Sequence, residues 1–134
     1  GLAGTAAAAA DAMVNTTNAM ADINCIGFHQ LGPDGDLLKF TYKADGQTVQ
    51  APWSMAIAAG TFYNLAFVYD PAAVPAKRLK IFVDNVEQTT YVTETQVAAA
   101  TFPNGDLLGL LAGCKNTGAA ATLDIDIWGA YFEN

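Results

Sequence analysis

The sequence predicts an all-β fold, an antiparallel β-sandwich that follows a short N-terminal arm or helix. The first observation is strict alternation of apolar and polar side chains in three runs over residues 63–92, the pattern of strands with one buried face. The second is the pair Asp84 and Asn85 between two of these runs, because both residue types tolerate the positive φ angles of a two-residue hairpin turn. The third is the spacing of about eight short strands, which is typical of a sandwich.

Residues 1–21 form the N-terminal arm of this prediction. A run of alanines at 6–10 favours a helix, but the Asn/Thr cluster at 15–18 interrupts it and no apolar stripe is sustained. A short helix or a mobile arm fits this composition, and so does a disordered terminus. We therefore expect two parts, the Ala-rich arm 1–21 and a single β-sandwich domain at 22–134.

The first predicted hairpin of the sandwich joins residues 23–29 to residues 37–43. The turn at 31–36 contains Pro, Gly and Asp residues, which favour chain reversal. In the second strand of this hairpin, alternate residues share a face: Leu38, Phe40 and Tyr42 on one side and Lys39, Thr41 and Lys43 on the other.

A weaker strand pattern covers residues 47–58, after a turn at 45–46. Trp53 and Met55 are large apolar residues of this segment. Pro52 has no N–H to donate, so it predicts an edge strand or a bulge.

The remaining elements alternate between strands and loops. Residues 63–69 and 79–83 are predicted strands, and the proline-containing loop 70–77 separates them. The following elements are a strand at 86–92, a surface crossing at 93–101, a turn at 102–106, a short buried strand at 107–112, a loop at 115–120 and a last strand at 122–132. In this last strand, Leu123, Ile125 and Ile127 share one face, and Asp124, Asp126 and Trp128 share the other.

Charge and hydropathy patterning exclude two classes of partner. Acidic residues outnumber basic ones by 13 to 6, and a net charge of -7 repels polyphosphate, so we expect no nucleic acid partner. The apolar runs are too short for a membrane-spanning helix of about 20 residues, so we expect no membrane partner. Without an initiator methionine or a cleavable signal segment, the chain is expected to be processed or to be part of a longer protein.

The two cysteines, Cys25 and Cys114, lie far apart in the sequence. A disulfide between them would close a long loop if their strands were neighbours, whereas free buried thiols are the alternative. They form no metal-binding motif, and we expect no metal site of cysteine ligands.

Asp124 and Asp126 are the best candidates for catalysis, because carboxylates at i and i+2 project from one face of a strand roughly 6–7 Å apart. Glycoside hydrolases use paired carboxylates. Laminarinase-like hydrolases carry a strand of the form Glu-x-Asp-x-(x)-Glu, but here the two glutamate positions hold other residues, namely Thr122 or Leu123 and Ile127 or Trp128. The prediction is therefore a protein without catalytic residues.

Nucleophilic catalysis has no support in the sequence either. His29 and Ser54 are the only residues of their types, and Ser54 lacks the GxSxG motif. Cys25 and His29 would share a strand face but lie about 13 Å apart. We expect no enzyme.

Two kinds of ligand stay open at this point. The turns at 33–36 and 104–106 carry carboxylates of the kind that bind calcium, although hairpin turns use the same residues, so we expect no cofactor, with calcium as the alternative. Aromatic side chains stack on sugar rings if they are exposed on a concave face and fill the core otherwise. The candidate ligand or partner contacts are Trp53, Tyr91, Trp128 and Tyr131.

Four segments together, FYNLAFVYDP, RLKIFVDNVEQ, LLGLLAG and ATLDIDIWGAYF, resemble the concanavalin A-like or laminin-G-like jelly rolls. That superfamily has an aromatic strand ending in A-x-x-Y-D, a strand and turn I-x-V-D-N/G, a small-residue strand and a final D-I-D strand. The resemblance covers residues 23–132 and implies a jelly-roll sandwich. It departs from lectin members because no Asp/Asn metal loop is recognisable.

The run CIGFHQLGPDGDLLKFTYKADGQTVQ is similar to proteins of tailed-phage structural modules, in which jelly rolls lie on the virion surface. This resemblance implies a capsid decoration or cement protein, assembled in the host cytoplasm and located on the capsid surface. Its partners would be capsid subunits and itself, as a homo-oligomer such as a trimer. The N-terminal arm and a strand edge near Trp53 would make the attachment. The alternative is a lectin-like carbohydrate-binding module for host or glycan attachment.

Overall fold

The computed structural model describes residues 1–3, 20, 22–103 and 108–110 of the chain. Almost all of the regular structure in these residues is β, in two antiparallel sheets. The elements are β1 (Leu2–Ala3), β2 (Cys25–His29), β3 (Leu37–Lys43), β4 (Gln50–Ala56), β5 (Leu65–Tyr69), β6 (Leu79–Val83), β7 (Val86–Glu87), α1 (Glu94–Val97) and β8 (Gly109–Leu110), with 3-10 turns at Gly32–Asp34 and Pro75–Lys77.

The first sheet has the strand order β4-β3-β2-β1-β8, and the second has the order β5-β6-β7. The predicted hairpin of the first sheet is confirmed, because Cys25 pairs with Lys43 and His29 pairs with Lys39. The all-β antiparallel class is therefore confirmed. The jelly-roll order of the strands stays a prediction.

The start of the chain differs from the prediction of a helix or arm. Leu2–Ala3 is a strand that pairs with β2 on one side and β8 on the other. Gly1 and Gly27 permit this close approach, since a Cβ on Gly27 would lie 2.5 Å from the Cα of Gly1. Residues 4–19 and 21, where the rest of the arm was predicted, lie outside the described residues.

The predicted turn between β6 and β7 is confirmed. Asp84 and Asn85 have φ angles of 51° and 65°, as a two-residue turn of the primed type requires. The Asp84 carboxylate also accepts a hydrogen bond of 2.8 Å from the Asn64 N–H, which ties the turn to the residue before β5.

The predicted strand with Pro52 is also confirmed as an edge strand. Among the described residues, β4 is one of the two outer strands of its sheet, and its register with β3 shifts between Phe40 and Tyr42. An edge strand beside a bulge is where a residue without an N–H is tolerated.

The core lies between the apolar faces of the two sheets. Phe40 of β3 and Ile81 of β6 are fully buried, and the side chains of β6 alternate as predicted, with Leu79, Ile81 and Val83 inside. Phe67 of β5 contacts both Phe28 and Phe40 of the first sheet. One apolar cluster therefore joins the sheets.

The opposite face of β3 departs from the expected polar exterior, because Thr41 and Lys43 are buried. Each has a polar partner that offsets the cost of burial: the Thr41 hydroxyl lies 2.8 Å from His29 Nδ1, and Lys43 Nζ lies 2.9 Å from Asp22. A strand pattern in the sequence does not show what covers its second face.

The predicted surface crossing at 93–101 contains a helical turn, α1. Thr93 caps it by accepting a hydrogen bond from the Gln96 N–H, and the Gln96 side chain accepts one from the Thr93 N–H. This is a capping box, with the spacing Thr-x-x-Gln that the sequence already contains.

Candidate functional site

The longest uncharged run of the chain is residues 46–69, in which no Asp, Glu, Lys, Arg or His occurs. This run, called here the uncharged segment, contains β4, the connection that follows it and β5. β4 and β5 are the outermost strands of their respective sheets in the described part of the chain. Edge strands commonly carry charges that prevent pairing with other chains, and here both lack them.

Large apolar side chains of the uncharged segment are exposed to solvent. Phe62, in the connection between the strands, is 83% exposed, and Val68 and Tyr69 of β5 are 48% and 52% exposed. An aromatic ring as open as that of Phe62 contributes nothing to the core. Exposed aromatic rings of this kind are typical anchors of protein interfaces.

The two open edges differ in their backbone chemistry. Asp70 N–H donates to Arg78 O at 2.8 Å and Asp84 N–H donates to Asn64 O at 2.7 Å. In an antiparallel ladder every second residue bonds to the neighbouring strand, so Ala66 and Val68 also bond to β6. The N–H and C=O groups of the alternate residues point away from β6. The outward residues of β5 are Leu65, Phe67 and Tyr69.

The outer edge of β4 offers fewer backbone donors, because a proline lies in it. Ile57 N–H donates to Asp36 O at 2.8 Å, so Met55 and Trp53 also bond to β3 and the residues between them face outward. Pro52 falls in the outward row and supplies no N–H. The open edge of β4 therefore offers fewer donors than that of β5.

A recess of about 120 Å³ lies beside the β4 edge. No charged side chain lines it, and its walls present hydrogen-bonding groups of two carboxamides and a phenol. Burial raises the pKa of Tyr42, so this phenol stays protonated and neutral. The lining residues are Tyr42, Gln50, Ala51, Pro52 and Gln96.

The lysine and arginine residues of the described part of the chain are all engaged with acidic or phenolic groups. No free basic patch therefore offsets the negative net charge there. The partners are Lys39 with Asp34, Lys43 with Asp22, Lys80 with Asp70, Arg78 with Glu94 and Lys77 with Tyr91.

Two of the four predicted contact residues, Trp53 and Tyr91, are in the described part of the chain. Trp53 is only 8% exposed and packs in the core against Phe28, which is the core-filling alternative that the sequence left open for this residue. The Tyr91 ring has Lys77 Nζ 4.4 Å from its centroid, and its hydroxyl donates to Glu87. Trp128 and Tyr131 lie outside the described residues.

The contact between Lys77 and Tyr91 is structural. Lys77 Nζ donates to the Tyr91 hydroxyl at 3.1 Å, and this hydrogen bond raises the pKa of Lys77. The ammonium group lies over one face of the Tyr91 ring as a cation–π contact.

The other residues weighed for chemistry are dispersed or engaged. Asp34, in the first candidate calcium turn, bonds Lys39 and accepts from the Leu31 N–H. Within the described ranges, no three His, Cys, Asp or Glu residues are grouped as metal ligands. Three further candidates lie outside these ranges: the carboxylates Asp124 and Asp126, the turn 104–106 and Cys114.

The outer face of the first sheet carries the buried thiol and the imidazole on one strand. Burial raises the pKa of Cys25 to about 11, and burial lowers the pKa of His29, so both groups are neutral at pH 7. The nearest hydrogen-bonding partner of His29 is Thr41, and no activated nucleophile results.

Sequence reasoning overlooked the uncharged segment, although its absence of charge is visible in the sequence. Its significance depends on the sheet order, in which both of its strands are outer strands as far as the structure describes the chain. Phe62 was overlooked because a phenylalanine before a strand is ordinarily assigned to the core.

Comparison of the chain with protein-family models, with curated proteins and with solved structures gives no match. In the described residues, no helix is long and apolar enough to cross a membrane.

Proposed function

We propose that the protein is a non-enzymatic structural component of a virus particle, a decoration or cement protein that binds the capsid surface. The observation that carries the proposal is the uncharged segment, residues 46–69, which combines two edge strands with the exposed ring of Phe62. Such a surface suits attachment by packing and strand addition.

The physical properties of this surface suit a repeated lattice. An acidic chain would be repelled by other acidic surfaces, and the uncharged segment avoids that repulsion. Individual contacts through small side chains and one aromatic ring are weak. Many copies on a symmetric shell would be retained by avidity if neighbouring copies also contact each other.

The assignment of this protein to a phage capsid in particular rests on the resemblance to jelly rolls of tailed-phage structural modules. Two antiparallel sheets with one shared core are compatible with that architecture. The edge near Trp53 is β4, so we propose β4 and Phe62 as the capsid-facing elements, with the N-terminal arm as a second attachment.

Cosedimentation with assembled particles of its source tests the proposal. We expect the native protein to copurify with particles, and we expect Phe62→Ser to weaken binding about tenfold because a buried aromatic anchor is lost. Val86→Ser is the matched control: Val86 is 62% exposed but lies outside the uncharged segment. Absence of the protein from purified particles, or equal binding by both variants, would contradict the proposal.

A carbohydrate-binding module is the second candidate, and the recess beside β4 favours it. Its lining includes the carboxamides of Gln50 and Gln96, neutral groups of the kind that bind sugar hydroxyls. Gln50 Nε2 already donates to Thr48 O and Gln96 Oε1 accepts from the Thr93 N–H, so Gln50 Oε1 and Gln96 Nε2 are the groups that a sugar would use. Saturable glycan binding that Gln50→Leu abolishes would support this function over capsid attachment. Loss of the signal in EDTA would add calcium as a ligand.

A further inference from the structure

We infer that the recess beside the β4 edge binds the acetamido group of a neutral amino sugar, together with the hydroxyl group on the neighbouring ring carbon. The inference deepens the carbohydrate-binding candidate, on which it rests, by naming the class of sugar. It is independent of attachment to a capsid.

The two glutamine side chains of the recess each have one half of the carboxamide already engaged. Gln50 Nε2 donates to Thr48 O at 3.2 Å, and Gln96 Oε1 accepts from the Thr93 N–H at 2.8 Å. These hydrogen bonds determine which way round each carboxamide lies. The Gln50 oxygen is therefore left as an acceptor for a ligand, and the Gln96 nitrogen is left as a donor.

A secondary amide has the complementary pair of groups. Its N–H can donate to Gln50 Oε1 while its C=O accepts from Gln96 Nε2. The methyl group of an acetamido substituent can lie against Ala51 and Pro52, which are the non-polar residues of the lining. The volume of about 120 Å³ admits a substituent of a few non-hydrogen atoms.

Tyr42 supplies a third group and favours a sugar over a peptide. It is only 1% exposed, and its hydroxyl makes no hydrogen bond with another described residue. No fully enclosed side-chain oxygen in the described part of the chain lacks a partner, so this hydroxyl reaches open space, and the recess is the space that Tyr42 lines. A sugar ring with an acetamido group on one carbon has a hydroxyl on the next carbon to pair with it, whereas a side-chain amide of a peptide has no such second group.

The electrostatics of the recess favour a neutral ligand. None of its lining residues, Tyr42, Gln50, Ala51, Pro52 and Gln96, carries a charge at neutral pH. An acidic sugar would bring a carboxylate without a cation in the lining to pair with it, and the net charge of -7 would repel it.

Isothermal titration calorimetry of the full chain with two trisaccharides tests the inference. A trimer of N-acetylglucosamine and the equally linked trimer of glucose differ only in the acetamido or hydroxyl group on the second carbon of each ring. We expect the glucose trimer to bind about tenfold more weakly, because the paired hydrogen bonds to the two glutamines are lost. Equal affinity would overturn the inference and leave the carbohydrate-binding function standing, whereas no binding of either trimer would overturn both.

Two matched glutamine variants locate the binding. Gln50 and Gln88 are both half-buried, and each donates from Nε2 to a backbone carbonyl two residues earlier, but only Gln50 lines the recess. Gln50→Met should weaken binding of the acetamido trimer about tenfold, and Gln88→Met should leave it within about twofold of the native value. Because both variants lose the same kind of backbone hydrogen bond, equal affinities would overturn the inference. Equally tight binding of a glutamine-containing peptide with blocked ends would also overturn it, because the recess would then take its amide from a protein.

Discussion

Phe40 and Phe67 connect the two sheets through a direct ring contact, with their centroids 5.2 Å apart and their planes inclined at 57°. Phe40 belongs to β3, which has a neighbouring strand on both sides in the first sheet, and Phe67 belongs to β5, an outer strand of the described second sheet. Tilted aromatic pairs at this distance have favourable geometry in addition to the area they bury. This contact holds β5 against the core, and among the described residues no strand pairs with the edge of β5 that faces away from β6.

Truncation of Phe40 should be among the most destabilising substitutions in the described part of the chain. Phe40→Ala removes a fully buried ring that contacts Phe28 and Phe67, so we expect a loss of about 3–5 kcal/mol in the free energy of unfolding. Denaturant titration measures this loss. Phe62→Ala is the matched control, because its exposed ring should change the free energy by less than about 0.5 kcal/mol.

The elements that the sequence predicts well depend on local patterns. β3, the strand alternation of β6 and the turn at residues 84–85 all follow from neighbouring residues. β1 was missed because two residues cannot show a period, and their pairing with β2 is decided by a contact across more than twenty residues. Local signals specify strands, whereas pairing partners are set by the whole core.

The candidate site, too, was predictable from the sequence only where local patterns decide. The absence of charge in residues 46–69 is present in the sequence, but only the sheet order makes β4 and β5 edges. The sequence leaves Trp53 open as a ligand contact or a core residue, and its ring lies in the core because its side chain shares the inner face of the sheet with Phe40. Aromatic composition alone does not separate a ligand contact from a core residue.

The turn between β6 and β7 should respond to substitution according to its φ angles. Asn85 has φ of 65°, a conformation that glycine adopts freely and that alanine adopts at a cost of roughly 1 kcal/mol. We therefore expect Asn85→Ala to lower the free energy of unfolding by about 1 kcal/mol and Asn85→Gly to keep or raise it. Thermal unfolding of both variants measures the difference, and equal effects would contradict the turn assignment.

The cap of α1 should contribute measurably to stability. Thr93 accepts a hydrogen bond from the Gln96 N–H at 3.3 Å, and removal of the hydroxyl leaves that donor without its partner. We expect Thr93→Ala to lower the free energy of unfolding by about 1 kcal/mol, and Thr93→Ser to restore most of it. Denaturant unfolding of both variants separates the hydrogen bond from the loss of the methyl group.

The Cys25 thiol should be unreactive while the protein is folded. Burial raises its pKa to about 11, which lowers the thiolate fraction about 100-fold relative to a free cysteine at neutral pH. In a Cys114→Ser variant, we expect a chromogenic disulfide reagent to label the native protein slowly and the unfolded protein at once. Rapid labelling of the native protein would show that the thiol is open to solvent.

His29 should make stability depend on pH between about pH 5 and 7.5. Burial lowers its pKa in the folded protein; the charge of Asp34 opposes this shift and that of Lys39 adds to it. The folded state therefore binds this proton less readily than the unfolded state, whose histidine titrates near pH 6.5. The stabilisation from the neutral imidazole is complete above the unfolded-state pKa of about 6.5. It is lost as the pH falls from there towards the lower pKa of the folded state.

A comparison with His29→Gln isolates this contribution, because His29 is the only histidine of the chain. We expect the free energy of unfolding of the native protein to fall more steeply on acidification from pH 7.5 to 5 than that of the variant. Subtracting the variant's free energy of unfolding from that of the native protein at each pH removes the contribution of groups that titrate alike in both proteins. Parallel curves would mean that the imidazole titrates as it does in the unfolded chain, which its burial beside Thr41 argues against.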